Sequence, residues 1–88
     1  MHEASLMKGL MKKIEAVAEE NGATKIISIK VKLGALSHMS PEHFQEHFDQ
    51  ISPGTIAEGA HIEAEQMTDL SDPHAQEILL ESVDVNKP

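Results

Sequence analysis

His43, Glu46 and His47 put two imidazoles four residues apart, with a carboxylate just before the second. The order His-x-x-Glu-His is that of inverted zinc peptidases, in which one helical turn offers both imidazoles to Zn²⁺ and the glutamate serves as general base. A second donor set opens the chain: in Met1-His2-Glu3 the α-amine, the amide nitrogen of His2 and its imidazole can close fused rings on one cation. Nitrogen donors in a plane favour Ni²⁺ or Cu²⁺ over zinc, calcium or magnesium. Methionine before a bulky histidine is a poor candidate for removal, so that amine stays in place. Early histidines are common, and what strengthens this one is a rigid helix that starts immediately afterwards and holds the site out from the domain.

That helix is legible from periodicity. Leu6, Met7, Leu10, Met11, Ile14, Val17 and Ala18 recur at helical spacing, with Glu3, Lys8, Lys12, Lys13, Glu15, Glu19 and Glu20 on the opposite side. Asn21-Gly22 ends it. The stretch KIISIKVKLG alternates Ile27, Ile29, Val31 and Leu33 against Ser28, Lys30 and Lys32, the pattern of a strand with one buried face. Ser40-Pro41 reads as N-cap and first residue of a second helix, along which Phe44, Phe48 and Ile51 form a stripe until Ser52-Pro53-Gly54. AHIEAEQ alternates through Ala60, Ile62 and Ala64, and EILLESVDV closes the chain as a last strand. Its phase breaks: Ile78 and Leu80 face one way, Val83 and Val85 the other, which calls for a bulge near Ser82 or burial on both sides. Asn86-Lys87-Pro88 reads as a free tail. The order is helix, strand, helix, strand, strand, hence an α+β fold with two helices on one face of a three-stranded β-sheet.

On the second helix His43 and His47 fall one residue before Phe44 and Phe48, about 100° around the axis, on the flank between core and solvent. Among six histidines in 88 residues such a pair arises easily. A zinc peptidase also needs a third ligand from another element and a substrate groove, which a chain this short has little surface to build. The pair therefore reads as two boundary histidines, ahead of adventitious metal binding and far ahead of a hydrolase, and replacing both by Ala is expected to do little. His74 reads as a solvated loop residue.

Composition narrows the classes further. Fifteen acidic against seven basic residues give a net charge of -8, and two Phe with no Tyr or Trp leave little to stack on bases, so nucleic acid is not the expected partner. No apolar run reaches membrane-spanning length and no secretory signal is visible, which points to the cytoplasm. Zero cysteines leave no disulfide, no thiolate zinc cage and no thiol nucleophile.

MHEASL at the start, LGALS after the first long strand, GTIAEGA before the next and the closing ILLESVDV together resemble the HypA-type nickel metallochaperones of NiFe-hydrogenase maturation. The resemblance runs through almost the whole chain in the same order. It implies a non-enzymatic protein, one nickel-binding domain over residues 1–88, that takes Ni(II) transiently through the N-terminal amine, the second-residue histidine and backbone amides, here Met1, His2 and Glu3. It implies delivery with a HypB-type maturation GTPase toward the hydrogenase large subunit, with urease as another destination and homodimerisation open. The family also inserts a zinc domain of two Cys-x-x-Cys pairs between its last two strands. Here the loop 67–76, MTDLSDPHAQ, stands in that place without a cysteine, so no structural zinc is expected and His74 is the one substitute ligand in it. The alternative reading is a metal-free adaptor or dimerisation module in hydrogenase or urease maturation.

Overall fold

Strand β1, Ile26–Leu33, runs through the middle of a three-stranded sheet of order β2-β1-β3. The computed structural model describes residues 3–86, with side chains from Ser5 onward. Helix α1 spans Glu3–Glu20, α2 Pro41–Ile51, β2 His61–Gln66 and β3 Ile78–Val85. β1 pairs parallel with β2 through the α2 crossover and antiparallel with β3. Both helices cover one face of the sheet, burying Met7, Leu10, Ile14, Phe44 and Phe48 against Ile29, Val31 and Leu33. The other face is solvated: Lys30 and Lys32 stand 3.9 and 3.8 Å from the Glu81 carboxylate, and Ser28 donates its hydroxyl to Asp84 at 2.7 Å.

The broken phase of β3 is resolved by two bulges. Lys30 pairs with Ser82 and Val31 with Leu80, so Glu81 is an extra residue on β3 that returns Ile78, Leu80 and Val83 to one face. A second irregularity lies on β1: Ile26 pairs with Val85 and Ser28 with Asp84, which leaves Ile27 as the extra residue. Strict alternation assigns Ile27 to the core; instead Ile26 is fully buried and Ile27 is 53% exposed, because the bulge flips the register at the strand's first step.

Local chemistry explains how each helix ends. At the close of α1 the Gly22 N–H donates to Glu19 O at 3.1 Å and the Ala23 N–H to Ala18 O at 2.9 Å, with Gly22 at φ 63°. That is a Schellman closure, which needs a left-handed residue. The Ser40 hydroxyl caps α2 by accepting the His43 N–H at 3.1 Å, and Pro41 occupies the first helical position, where a missing N–H costs nothing. Ile51, placed by periodicity on the Phe44–Phe48 stripe, is more than a third exposed, since the helix is already ending there.

The chain's end is not free up to Asn86. Its side-chain oxygen accepts the N–H groups of Thr24 and Lys25 at 3.2 and 2.8 Å, its amide donates to the Thr24 hydroxyl at 3.1 Å, and its own N–H donates to Lys25 O. Asn86 thereby ties the end of β3 to the turn that enters β1.

Candidate metal centre

The three proposed ligands are Met1, His2 and Glu3. Met1 and His2 fall outside the described residues, and Glu3 opens the helix. What is described is their support. Met7, Leu10, Met11, Ile14 and Ala18 are buried, so α1 is clamped to the sheet from its second turn onward. Its first turn faces the loop after β1: Leu6, Leu36, Ser37, His38 and Gln76 line a shallow pocket of about 220 Å³.

That loop is held tightly. The Gly34 N–H donates to Glu77 O at 2.9 Å, the Leu36 N–H to Ala75 O at 2.7 Å, and the buried Ser37 hydroxyl to Gly34 O at 2.7 Å. Gly34 is required here because a Cβ would overlap the carbonyl of Ala75. His38 follows in a left-handed conformation, φ 59°. Sequence spacing gave no reason to single out His38; the one signal is that histidine, with Asn and Asp, is enriched among non-glycine residues at positive φ.

On α2 the helix brings His43 and His47 together as the four-residue spacing requires. Their Nε2 atoms are 3.1 Å apart, their ring centroids 4.7 Å apart and their planes tilted by 35°. Both rings are half-buried beside the stacked pair Phe44 and Phe48, whose centroids are 6.4 Å apart, while Glu46 is exposed. Among the described residues no three His, Asp or Glu side chains converge on one point. The third ligand that a zinc peptidase needs is therefore not supplied within residues 3–86.

The loop before β3 treats its histidine differently. Asp69 accepts both the Ser71 N–H and its hydroxyl, at 2.9 and 2.7 Å, and those bonds hold its carboxyl below the usual carboxylate range. Asp72 accepts the His74 N–H at 2.7 Å. His74 Nδ1 in turn lies 2.6 Å from the Glu77 carboxylate. The hydrogen bond to Glu77, then the charges of Glu77 and, more weakly, Asp72, raise the imidazole pKa above its ordinary value, and slight burial opposes them. Consecutive turns anchored by side chains make this an ordered connection. The last histidine, His61 at the start of β2, is exposed with Nε2 4.0 Å from Glu63.

Residues 1–71 match the family described as "Hydrogenase/urease nickel incorporation, metallochaperone, hypA". The chain belongs to the HypA family. Similar sequences include the hydrogenase maturation factor HypA of Acidithiobacillus ferrooxidans, 36% identical over 63 residues that make up 72% of this chain and 56% of that one. The HypA of Archaeoglobus fulgidus is 40% identical over 63 residues, 72% of this chain and 57% of its own length. The chain thus spans little more than half the length of the HypA relatives it matches. In structure it resembles the solution structure of the Ni metallochaperone HypA from Helicobacter pylori, with a TM-score of 0.79 over 100% of both chains at 19% identity, a likeness of fold. The HypA match ends at Ser71, inside the loop, so His74, Glu77 and all of β3 lie beyond it. Among the described residues no helix is long and apolar enough to cross a membrane.

Proposed function

We propose that this chain is the nickel-binding domain of a metallochaperone, which takes Ni²⁺ at Met1, His2 and Glu3 and hands it on during maturation of a NiFe-hydrogenase, without catalysing a reaction itself. One observation carries this reading: the match to the nickel-incorporation family starts at residue 1 and so includes the Met-His-Glu donors. The α-amine of Met1, the imidazole and amide nitrogen of His2 and the amide of Glu3 provide nitrogen donors in one plane, the set that Ni²⁺ prefers. A helix opening at Glu3 and clamped from its second turn presents those donors on a firm base. Few ligands at the edge of a domain can release an ion to a partner with a better donor set. On this reading the partners are a HypB-type GTPase and the hydrogenase large subunit, the compartment is the cytoplasm, and residues 67–76 replace a zinc lobe.

Protonation of the donors gives the reading a signature. An α-amine titrating at roughly 7.7 to 8.0 and an imidazole near 6.5 cannot ligate once protonated, so nickel affinity falls steeply as pH drops through that range. The test is calorimetric Ni²⁺ titration of the protein with Met1 as its first residue, beside His2→Ala and a form extended by one N-terminal residue. Loss of the tight step in both variants, with the fold intact by circular dichroism, supports the N-terminal site. Unchanged binding in both, or an affinity flat between pH 8 and 6, rejects it. No specific binding in any form leaves the metal-free adaptor.

A further inference from the structure

We propose that the outer edge of β2 takes up a further strand from a partner, an extended segment that alternates basic with aliphatic residues, and that this contact is independent of where nickel sits. The two edges of the sheet differ. On β3 the extra residue Glu81 breaks the pairing, its carboxylate is already met by Lys30 and Lys32 at 3.9 and 3.8 Å, and Asp84 accepts the Ser28 hydroxyl. A bulge of this kind blunts an edge against further pairing. β2 carries none: it pairs with Ser28 to Leu33 in unbroken register. In that register Glu63 and Glu65 stand opposite Lys30 and Lys32, yet both lysines reach to Glu81 instead. Among the described residues the one basic group within 4.0 Å of either glutamate is the His61 ring beside Glu63.

The backbone of this edge is open as well. The Met67 N–H donates to Leu33 O at 2.8 Å, and N–H groups alternate in direction along a strand. Those of Glu63 and Glu65 therefore turn toward β1, and those of Ile62 and Ala64 turn away from it, where no acceptor for them is found among the described residues. The side chains of Ile62 and Ala64 lie at the margin of the core, only partly buried. An added strand thus meets backbone donors and acceptors along the edge, an acidic row on the solvent face and apolar side chains on the core face. Lys or Arg alternating with Val, Ile or Leu satisfies all three. A second copy of this chain does not, because antiparallel pairing of β2 with itself sets glutamate against glutamate.

Titration of the whole chain with an acetylated and amidated peptide of alternating Lys and Val, followed by amide NMR, tests this. Binding is expected to slow hydrogen exchange at Ile62 and Ala64 and to leave β3 unchanged. Glu63→Gln/Glu65→Gln alters two exposed positions, should keep the fold by circular dichroism, and weakens binding roughly two- to thirtyfold through the loss of two opposite-charge cross-strand pairs. A peptide of alternating Glu and Val does not bind. Two further peptides are N-methylated at every valine or at every lysine; only one of these sets faces β2 in an added strand, so one peptide fails and the other still binds. Binding retained by both reduces the contact to charge alone and overturns the proposal. Protection that falls on β3, an affinity indifferent to Glu63 and Glu65, or no slowing at peptide concentrations up to about 1 mM overturns it equally. Protection of Ile62 and Ala64 that grows with protein concentration in the absence of peptide makes a second copy the occupant, against the basic strand proposed.

Discussion

α2 and the loop that leads into β3 each bring a histidine to a close partner, 3.1 Å in one case and 2.6 Å in the other, and the two partners differ in kind. His43 meets another imidazole, whose Nε2 donates or accepts according to its tautomer. His74 meets a carboxylate, which stabilises the protonated ring and so competes with any metal for the same nitrogen. The supports differ as well: one pair rides on a capped helix seated in the core, the other on turns held by Asp69 and Asp72 in solvent. Two histidines of one chain are thus assigned different chemistry by the side chain opposite, and their positions in the sequence do not reveal it.

The hardest way to break this contrast is to remove the platform under the helix pair. Phe44 is fully buried between α2 and the sheet, and Phe44→Ala deletes a ring whose space the neighbours cannot refill. The expected loss is about 3–5 kcal/mol by chemical denaturation, a large share of the ~5–15 kcal/mol of a typical domain. The contact between His43 and His47 should be lost with the fold, while the contact of His74 with Glu77 carries little of that stability. A loss under about 1 kcal/mol would mean that α2 is not seated as described.

Gly34→Ala attacks the other side of the comparison. Its new Cβ runs into the backbone of Ala75, so the loop that carries His74 and Glu77 has to move off the end of β1. Overpacking of this kind costs about 1–3 kcal/mol, and the shift should strain the bonds from Gly34 N to Glu77 O and from Leu36 N to Ala75 O. Amide chemical shifts should change around residues 74–77 and stay nearly constant on α2. Equal changes on α2 would show that the loop and the helix pair are mechanically one unit, and the contrast between them would fail.

Much of this architecture is legible in the residues themselves. The i, i+3, i+4 stripe of α1, the Ser40-Pro41 start of α2 and the alternation of β1 and β2 each have a local cause, and the structure follows them. Ile27 is where that logic gives out: a bulge is a pairing event between β1 and β3, and alternation within one strand cannot say which strand yields the extra residue. The parallel pairing of β1 with β2 and the tethering of Asn86 to Lys25 are likewise non-local. For the candidate site, spacing predicts that His43 and His47 are neighbours but not that their Nε2 atoms come within 3.1 Å, because that depends on side-chain rotamers. His38 had no sequence signal beyond its tolerance for positive φ, and Glu77 as the partner of His74 becomes visible only once the turns of the loop are built.

Glu77→Gln is the gentlest test and addresses the contrast most directly. In the wild type the carboxylate raises the His74 pKa in the folded state above its unfolded value, near 6.5. The contact therefore contributes its full stabilisation below pH about 6.5 and loses it as pH rises through the higher folded value. With Gln in place of Glu, the imidazole keeps a hydrogen-bond acceptor but loses the charge, so its NMR titration should move down toward the ordinary value. Both groups are exposed, so the wild-type shift should also shrink in high salt, and any change in unfolding stability should be small. A His74 titration that is the same in wild type and variant would remove the carboxylate as the cause. The contrast between a carboxylate-held and an imidazole-held histidine would then lose its electrostatic basis.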